Sequence, residues 1–166
     1  MSTPVRGERT WRDALGGIVI QSRVSKPPGR LGYEKHLFPG IEVGLAGWER
    51  AHSQGNVTGH ESARAIRYAP REVNQVLQLL GIERFIRELY EEKAADVELQ
   101  LTTVTYTHPG TLRLKEIQYR VDAVRRGVSR PLLEASIEVA DTRRNPRMTI
   151  GGQWRAPSER LASLLE

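Results

Sequence analysis

The stretch GWERAHSQGNVTGHESARAIRYAP, residues 47–70, holds His52 and His60, two of the chain's four histidines, beside Ser53, Glu61, Arg67 and Tyr68. Its apolar residues follow neither the helical nor the strand period, and Gly47, Gly55 and Gly59 punctuate it. It therefore reads as a loop that aims polar side chains. A third candidate, His108, stands in the turn sequence THPGT. Imidazole is the side chain whose ordinary pKa lies near neutrality, so exposed loop histidines suit the acid and base of a reaction run at neutral pH.

One reaction that needs such a pair is RNA cleavage without a metal. A base takes the 2′-hydroxyl proton, an acid protonates the leaving 5′-oxygen, and cations offset the phosphorane charge. His52, His60 and His108 are the acid–base candidates, with Glu61 as a neighbouring acid and Arg67 and the hydroxyl of Thr105 or Tyr106 as stabilising groups. Arg113, Lys115, Tyr119 and Arg120, with Ser53 and Tyr68, are candidate contacts to the substrate. This chemistry calls for no cofactor.

Two other chemistries fit less well. His52, His60 and Glu61 are close enough in sequence to raise metal ligation, but HESAR lacks the second histidine of H-E-x-x-H. An ADP-ribosyltransferase would use an arginine from IRYAP, the hydroxyl strand LTTVTYT and Glu134 or Glu138 to hold and cleave NAD. A non-catalytic basic module that grips an acidic partner is the remaining class. Cysteine is absent, which removes thiolate nucleophiles, thiolate metal sites and disulfides. No P-loop, dinucleotide-binding fingerprint or nucleophile elbow occurs.

The 166 residues carry a net charge of +5, and arginine far outnumbers lysine. Forked cationic donors suit phosphate-bearing partners. No apolar run reaches the roughly 18 residues that a membrane helix needs, and the N-terminus lacks the pattern of an export signal. Membrane insertion by this domain is not expected.

The elements that must position these residues begin after the loop. Pro70 stands at a helix N1 position, and Val73, Val76, Leu77 and Leu80 follow at helical spacing until Gly81 supplies a stop. A second helix follows with Ile82, Phe85, Ile86 and Leu89 on one face. The period then becomes two through Val97, Leu99 and Leu101 into TTVTYTH. A further strand, TLRLKEIQYRVDAV, slips phase near Lys115 and Glu116 as a bulge would make it. RRGVSRP and DTRRNP mark two more turns, each followed by a strand.

The expected class is α+β: two consecutive helices, then a four-stranded antiparallel meander, a layout shared with barnase, EndoU and RelE-like ribonucleases. One face of that sheet would carry Gln100, Thr102, Arg113, Lys115, Gln118 and Arg120 as a cationic floor for a polynucleotide. Residues 1–30, which mix charge, Gly and Pro around the short apolar run GGIVI, read as a leader or linker or an edge strand. Residues 31–166 then form a single catalytic domain.

The blocks GWERAHSQG, IRYAPREVNQ, GIERFIRELY, LTTVTYTHPGTLRLKEIQYRVDAV and EASIEV together resemble the type 4 domain of bacterial polymorphic toxin systems, over roughly residues 40–140. The resemblance implies the toxic tip of a large exported effector that acts in the cytoplasm of a competitor cell. It implies also a cognate immunity protein in the producer, expected to be acidic against so basic a chain. AHSQG and THPGT carry the resemblance more firmly than TGHES, which favours His52 and His108 as the acid–base pair, with His60 accessory. An RNA substrate, such as tRNA or ribosomal RNA, is the resulting expectation.

Overall fold

The computed structural model describes residues 9–25, 48–51, 54, 65–73, 78, 81–140 and 146–151. Strands β1 (Arg9–Arg12), β2 (Ile18–Arg23), β5 (Glu98–Thr107), β6 (Leu114–Arg125), β7 (Val128–Glu138) and β8 (Arg147–Gly151) form one six-stranded sheet in the order β1-β2-β5-β6-β7-β8. Every neighbouring pair in it is antiparallel. Strands β3 (Trp48–Ala51) and β4 (Arg67–Pro70) make a separate two-stranded ribbon, and α1 spans Arg84–Glu92.

The alternation along β5 dictates which face is dry. Leu99, Leu101, Thr103 and Thr105 are buried, while Gln100, Thr102, Val104 and Tyr106 between them are partly exposed. Register carries the same division across the sheet: Thr103 lies opposite Ile20 and Tyr119, and Tyr119 opposite Ala135. On this inner face Leu99, Leu101, Val121, Leu133 and Ile137 form one core with Ile86 and Leu89 of α1 and with Ala51 and Ala69 of the ribbon. That is the half-buried sheet expected of antiparallel strands with helix on one side.

The inner face also holds polar groups, most of them partnered, although the buried Thr105 hydroxyl has no hydrogen-bond partner among the described residues. Gln54, wholly buried, accepts a hydrogen bond from Ser22 through its side-chain oxygen and donates through Nε2 to the Ile20 carbonyl at 3.0 Å. Gln78 Nε2 donates to the Tyr119 hydroxyl at 2.6 Å.

The connections follow local chemistry. β6 and β7 meet at Arg126 and Gly127, both with positive φ (49° and 76°), as a two-residue hairpin turn of the type I′ kind requires. The pairing of β5 with β6 shifts register between Tyr106 and Thr107, leaving Lys115 as the extra residue of a bulge, where the sequence phase slips. Pro131 lies beside the second bulge, near Asp122, where a missing N–H is tolerated.

The expected class of two helices followed by a four-stranded meander is overturned: among the described residues the chain is mostly β. The four strands β5–β8 do run as a meander, but β2 continues the sheet beyond β5 and β1 completes it. The barnase, EndoU and RelE-like layout falls with that expectation. Gly81 is no terminator, because Gly81–Glu83 continue as wide π-type turns into α1. Glu83, at the start of α1, keeps helical dihedrals and makes no capping bond through its side chain. Two strands of the sheet, β1 and β2, come from residues 1–30, the segment read as leader or edge strand.

Candidate functional site

At one end of the sheet three segments converge. The β1–β2 turn contributes Arg12, Leu15 and Gly16, the start of β4 contributes Arg67, and the β5–β6 turn contributes His108 and Thr111 with Lys115 from the bulge beyond it. Between them lies a cleft of about 350 Å³.

The β5–β6 turn is tightly bonded. The His108 backbone N–H donates to the Arg113 carbonyl at 3.0 Å, and the His108 carbonyl accepts from the Thr111 N–H at 3.1 Å and from the Thr111 hydroxyl at 2.8 Å. The ring is fixed as well, with Nε2 2.8 Å from the Val139 carbonyl. A carbonyl only accepts, so Nε2 carries the proton and the neutral ring keeps its lone pair on Nδ1. His108 thus stands at the cleft in the tautomer that a general base needs.

Arg67 is held on one side of its guanidinium. Nε donates to the Thr107 hydroxyl at 2.8 Å and Nη1 to the Ile66 carbonyl at 2.7 Å. Burial lowers its pKa from the ordinary value, and the positive charge of Arg12 lowers it further. Two arginines therefore repel each other across the cleft. None of Arg12, Arg67 and Lys115 has a carboxylate partner among the described residues. Such a concentration of uncompensated cations beside an imidazole suits an anion.

The β1–β2 turn is tied down by Asp13. Its Oδ1 accepts from the Leu15 and Gly17 N–H groups at 3.0 and 2.7 Å, and its Oδ2 accepts from the Tyr106 hydroxyl at 2.5 Å. The Tyr106 bond, more than the backbone bonds, holds the Asp13 pKa below its ordinary value, and the same bond raises Tyr106 to about 12. Arg12 Nη1 in turn donates to the Gly16 carbonyl at 3.1 Å.

Of the residues singled out from sequence, His108, Arg67 and Lys115 meet at this cleft, and Tyr106 lines it. Thr105 and Tyr119 lie on the inner face, and Tyr68 is buried. Arg113 belongs to the same turn as His108, with its N–H bonded to the Thr111 hydroxyl at 3.0 Å. Arg120 points to the other side of the sheet, where its Nε bonds both carboxylate oxygens of Asp122 at 3.0 Å. His52, Ser53, His60 and Glu61 lie outside the described residues, as does the metal reading that rests on them.

The outer face is not a uniformly cationic floor. A second hollow there, of about 480 Å³, is lined by Glu116 and Glu134 as well as Arg120. Glu138 on the same face is paired with Arg147 at 2.5 Å. Glu134 and Thr105 stand on opposite faces, since Glu134 lies opposite Arg120 while Thr105 lies opposite Ile117. Of the hydroxyls in the strand LTTVTYT assigned to an ADP-ribosyltransferase, Thr102 lines the same hollow as Glu134.

Arg12, Thr107 and Thr111 are cleft residues that the sequence reading passed over. Thr107 and Thr111 flank His108 in the signal THPGT, but Arg12 carries no local signal, since its place at the cleft depends on β2, its hairpin partner, pairing with β5 far along the chain. A family model described as Bacterial toxin 4 matches residues 45–151, well over half of the chain. No curated protein and no solved structure matches it.

Proposed function

The chain belongs to the Bacterial toxin 4 family, and from that premise we propose that its toxic act is metal-independent cleavage of RNA at the cationic cleft. The observation that carries this reading is the convergence of His108, Arg67 and Lys115 on one cleft without carboxylate partners among the described residues. His108 Nδ1 takes the proton of a ribose 2′-hydroxyl. The freed oxygen attacks the adjacent phosphorus, the bond to the 5′-oxygen breaks, and that oxygen leaves protonated. A 2′,3′-cyclic phosphate and a 5′-hydroxyl end result. Arg67 and Lys115 offset the charge that builds on the phosphorane oxygens.

His52 is the proposed acid, with His60 accessory. It follows directly on Ala51, which pairs with Arg67 in the β3–β4 ribbon. In the cell the domain would be the toxic part of an exported effector, acting on RNA in the cytoplasm of its target. An immunity protein of acidic character would neutralise it in the producer.

The test is incubation of the purified chain with total bacterial RNA, with and without EDTA, resolved on a denaturing gel. The expected result is discrete fragments in both lanes and a loss of about 10²- to 10⁴-fold in His108→Ala, the usual contribution of a general acid or base. Full activity in His108→Ala, or cleavage abolished by EDTA, would overturn the mechanism. Intact RNA together with consumption of NAD would favour the transferase instead.

A further inference from the structure

We propose that the β1–β2 turn is a working wall of the cleft, and that Asp13 is a positioning residue that holds Arg12 there as a third phosphate ligand. The proposal rests on the cleft being the site where RNA is cleaved, and Arg12, Asp13 and Gly17 lie outside the segment matched by the family model.

Three observations support it. First, one carboxylate fastens the turn to β5: Asp13 binds two backbone N–H groups of its own turn and the hydroxyl of Tyr106 on β5 of the same sheet. Secondly, the turn sits against β5 with no room to spare. A Cβ on Gly17 would stand 2.7 Å from Tyr106 Cε1 and 2.8 Å from Val104 Cγ1, so only glycine permits this approach. Thirdly, the residue preceding Asp13 is Arg12, whose charge is felt by Arg67 and whose guanidinium is bonded to the Gly16 carbonyl.

A turn built only to connect two strands would not need to bring a cation toward another cation. Repulsion between Arg12 and Arg67 opposes this arrangement in the free protein, and a phosphodiester between them would reverse its sign. Phosphate binding by two guanidinium groups and an ammonium is the chemistry the wall would serve.

The experiment uses the full chain and reads binding separately from cleavage. Inorganic phosphate is titrated by calorimetry into the wild type, Arg12→Gln, Asp13→Asn, Tyr106→Phe and the double variant Arg12→Gln/Asp13→Asn. Circular dichroism verifies that each is folded. Arg12→Gln is expected to weaken phosphate binding about tenfold, the loss of one charge-assisted contact. Asp13→Asn and Tyr106→Phe are expected to weaken it several-fold, and the double variant no further than Arg12→Gln alone, because the latch acts through Arg12.

Unchanged binding in folded Asp13→Asn and Tyr106→Phe, additive losses in the double variant, or absence of phosphate binding by the wild type would overturn the proposal. If the wild type binds phosphate with the expected dependence yet leaves RNA intact, the latch stands and the cleavage reading fails. If RNA is cleaved while Arg12→Gln is silent in both assays, the reverse holds.

Discussion

Individual polar side chains in this protein do two different jobs, and burial separates them. Tyr119 is enclosed in the core, where burial raises its pKa strongly and its hydroxyl accepts from Gln78. Removing the donor leaves the phenol without a partner, so Gln78→Leu is expected to cost about 1–3 kcal/mol in urea unfolding. Tyr106 is different, since it lines the cleft and its pKa is raised to about 12 chiefly by the bond to Asp13. The fold favours the neutral phenol, so this contribution is complete below the ordinary value of 10.0 and is lost as pH rises toward about 12. Asp13 shifts the other way: its contribution is present above the ordinary 3.8 and fades as pH falls through its lowered value. Phenolate absorbance is expected to show a tyrosine that titrates at about 12 in the wild type, distinct from the later-titrating buried Tyr119, and that is missing from Tyr106→Phe.

Elements differed in how plainly the sequence announced them. Leu99 and Leu101 alternate with Glu98 and Gln100, and the phase slip at Lys115 matches the bulge observed there. These features are local, because a strand with one wet face writes its period into its own residues. The helical stop at Gly81 failed for the converse reason: glycine is compatible with a cap and with an unbroken helical path, and the packing of Ile82 and Ile86 against the sheet decides between them. β1 and β2 were hardest to read, since RTWR is exposed along its whole length and its pairing is set by β2. For the same reason His108, Arg67 and Lys115 could be named from the sequence, whereas Arg12 could not. The turn joining β1 to β2 gives an element-scale prediction: Gly17→Ala must push the turn off Val104 and Tyr106. It is expected to destabilise by about 1–3 kcal/mol, as overpacking does, and to weaken phosphate binding, both measured on the same preparation.

For the molecule as a whole, the net charge of +5 and the cleft cations set what an inhibitor must look like. An acidic immunity protein that covers the cleft would associate rapidly at low salt, and its association rate is expected to fall steeply as salt is raised in stopped-flow mixing. A rate indifferent to salt would place the contact elsewhere. The sheet order carries a different consequence, concerning when the toxin becomes dangerous. Asp13 and Tyr106 meet across 93 positions of sequence, and β2 reaches β5 only after the ribbon and α1 have intervened in the chain. Contacts so distant along the chain are slow to form, because the entropy of closing a long loop opposes them. A chain in which β2 has not yet docked on β5 therefore has His108 but no wall opposite it. On the proposed reading of the cleft, activity is therefore coupled to the completion of folding.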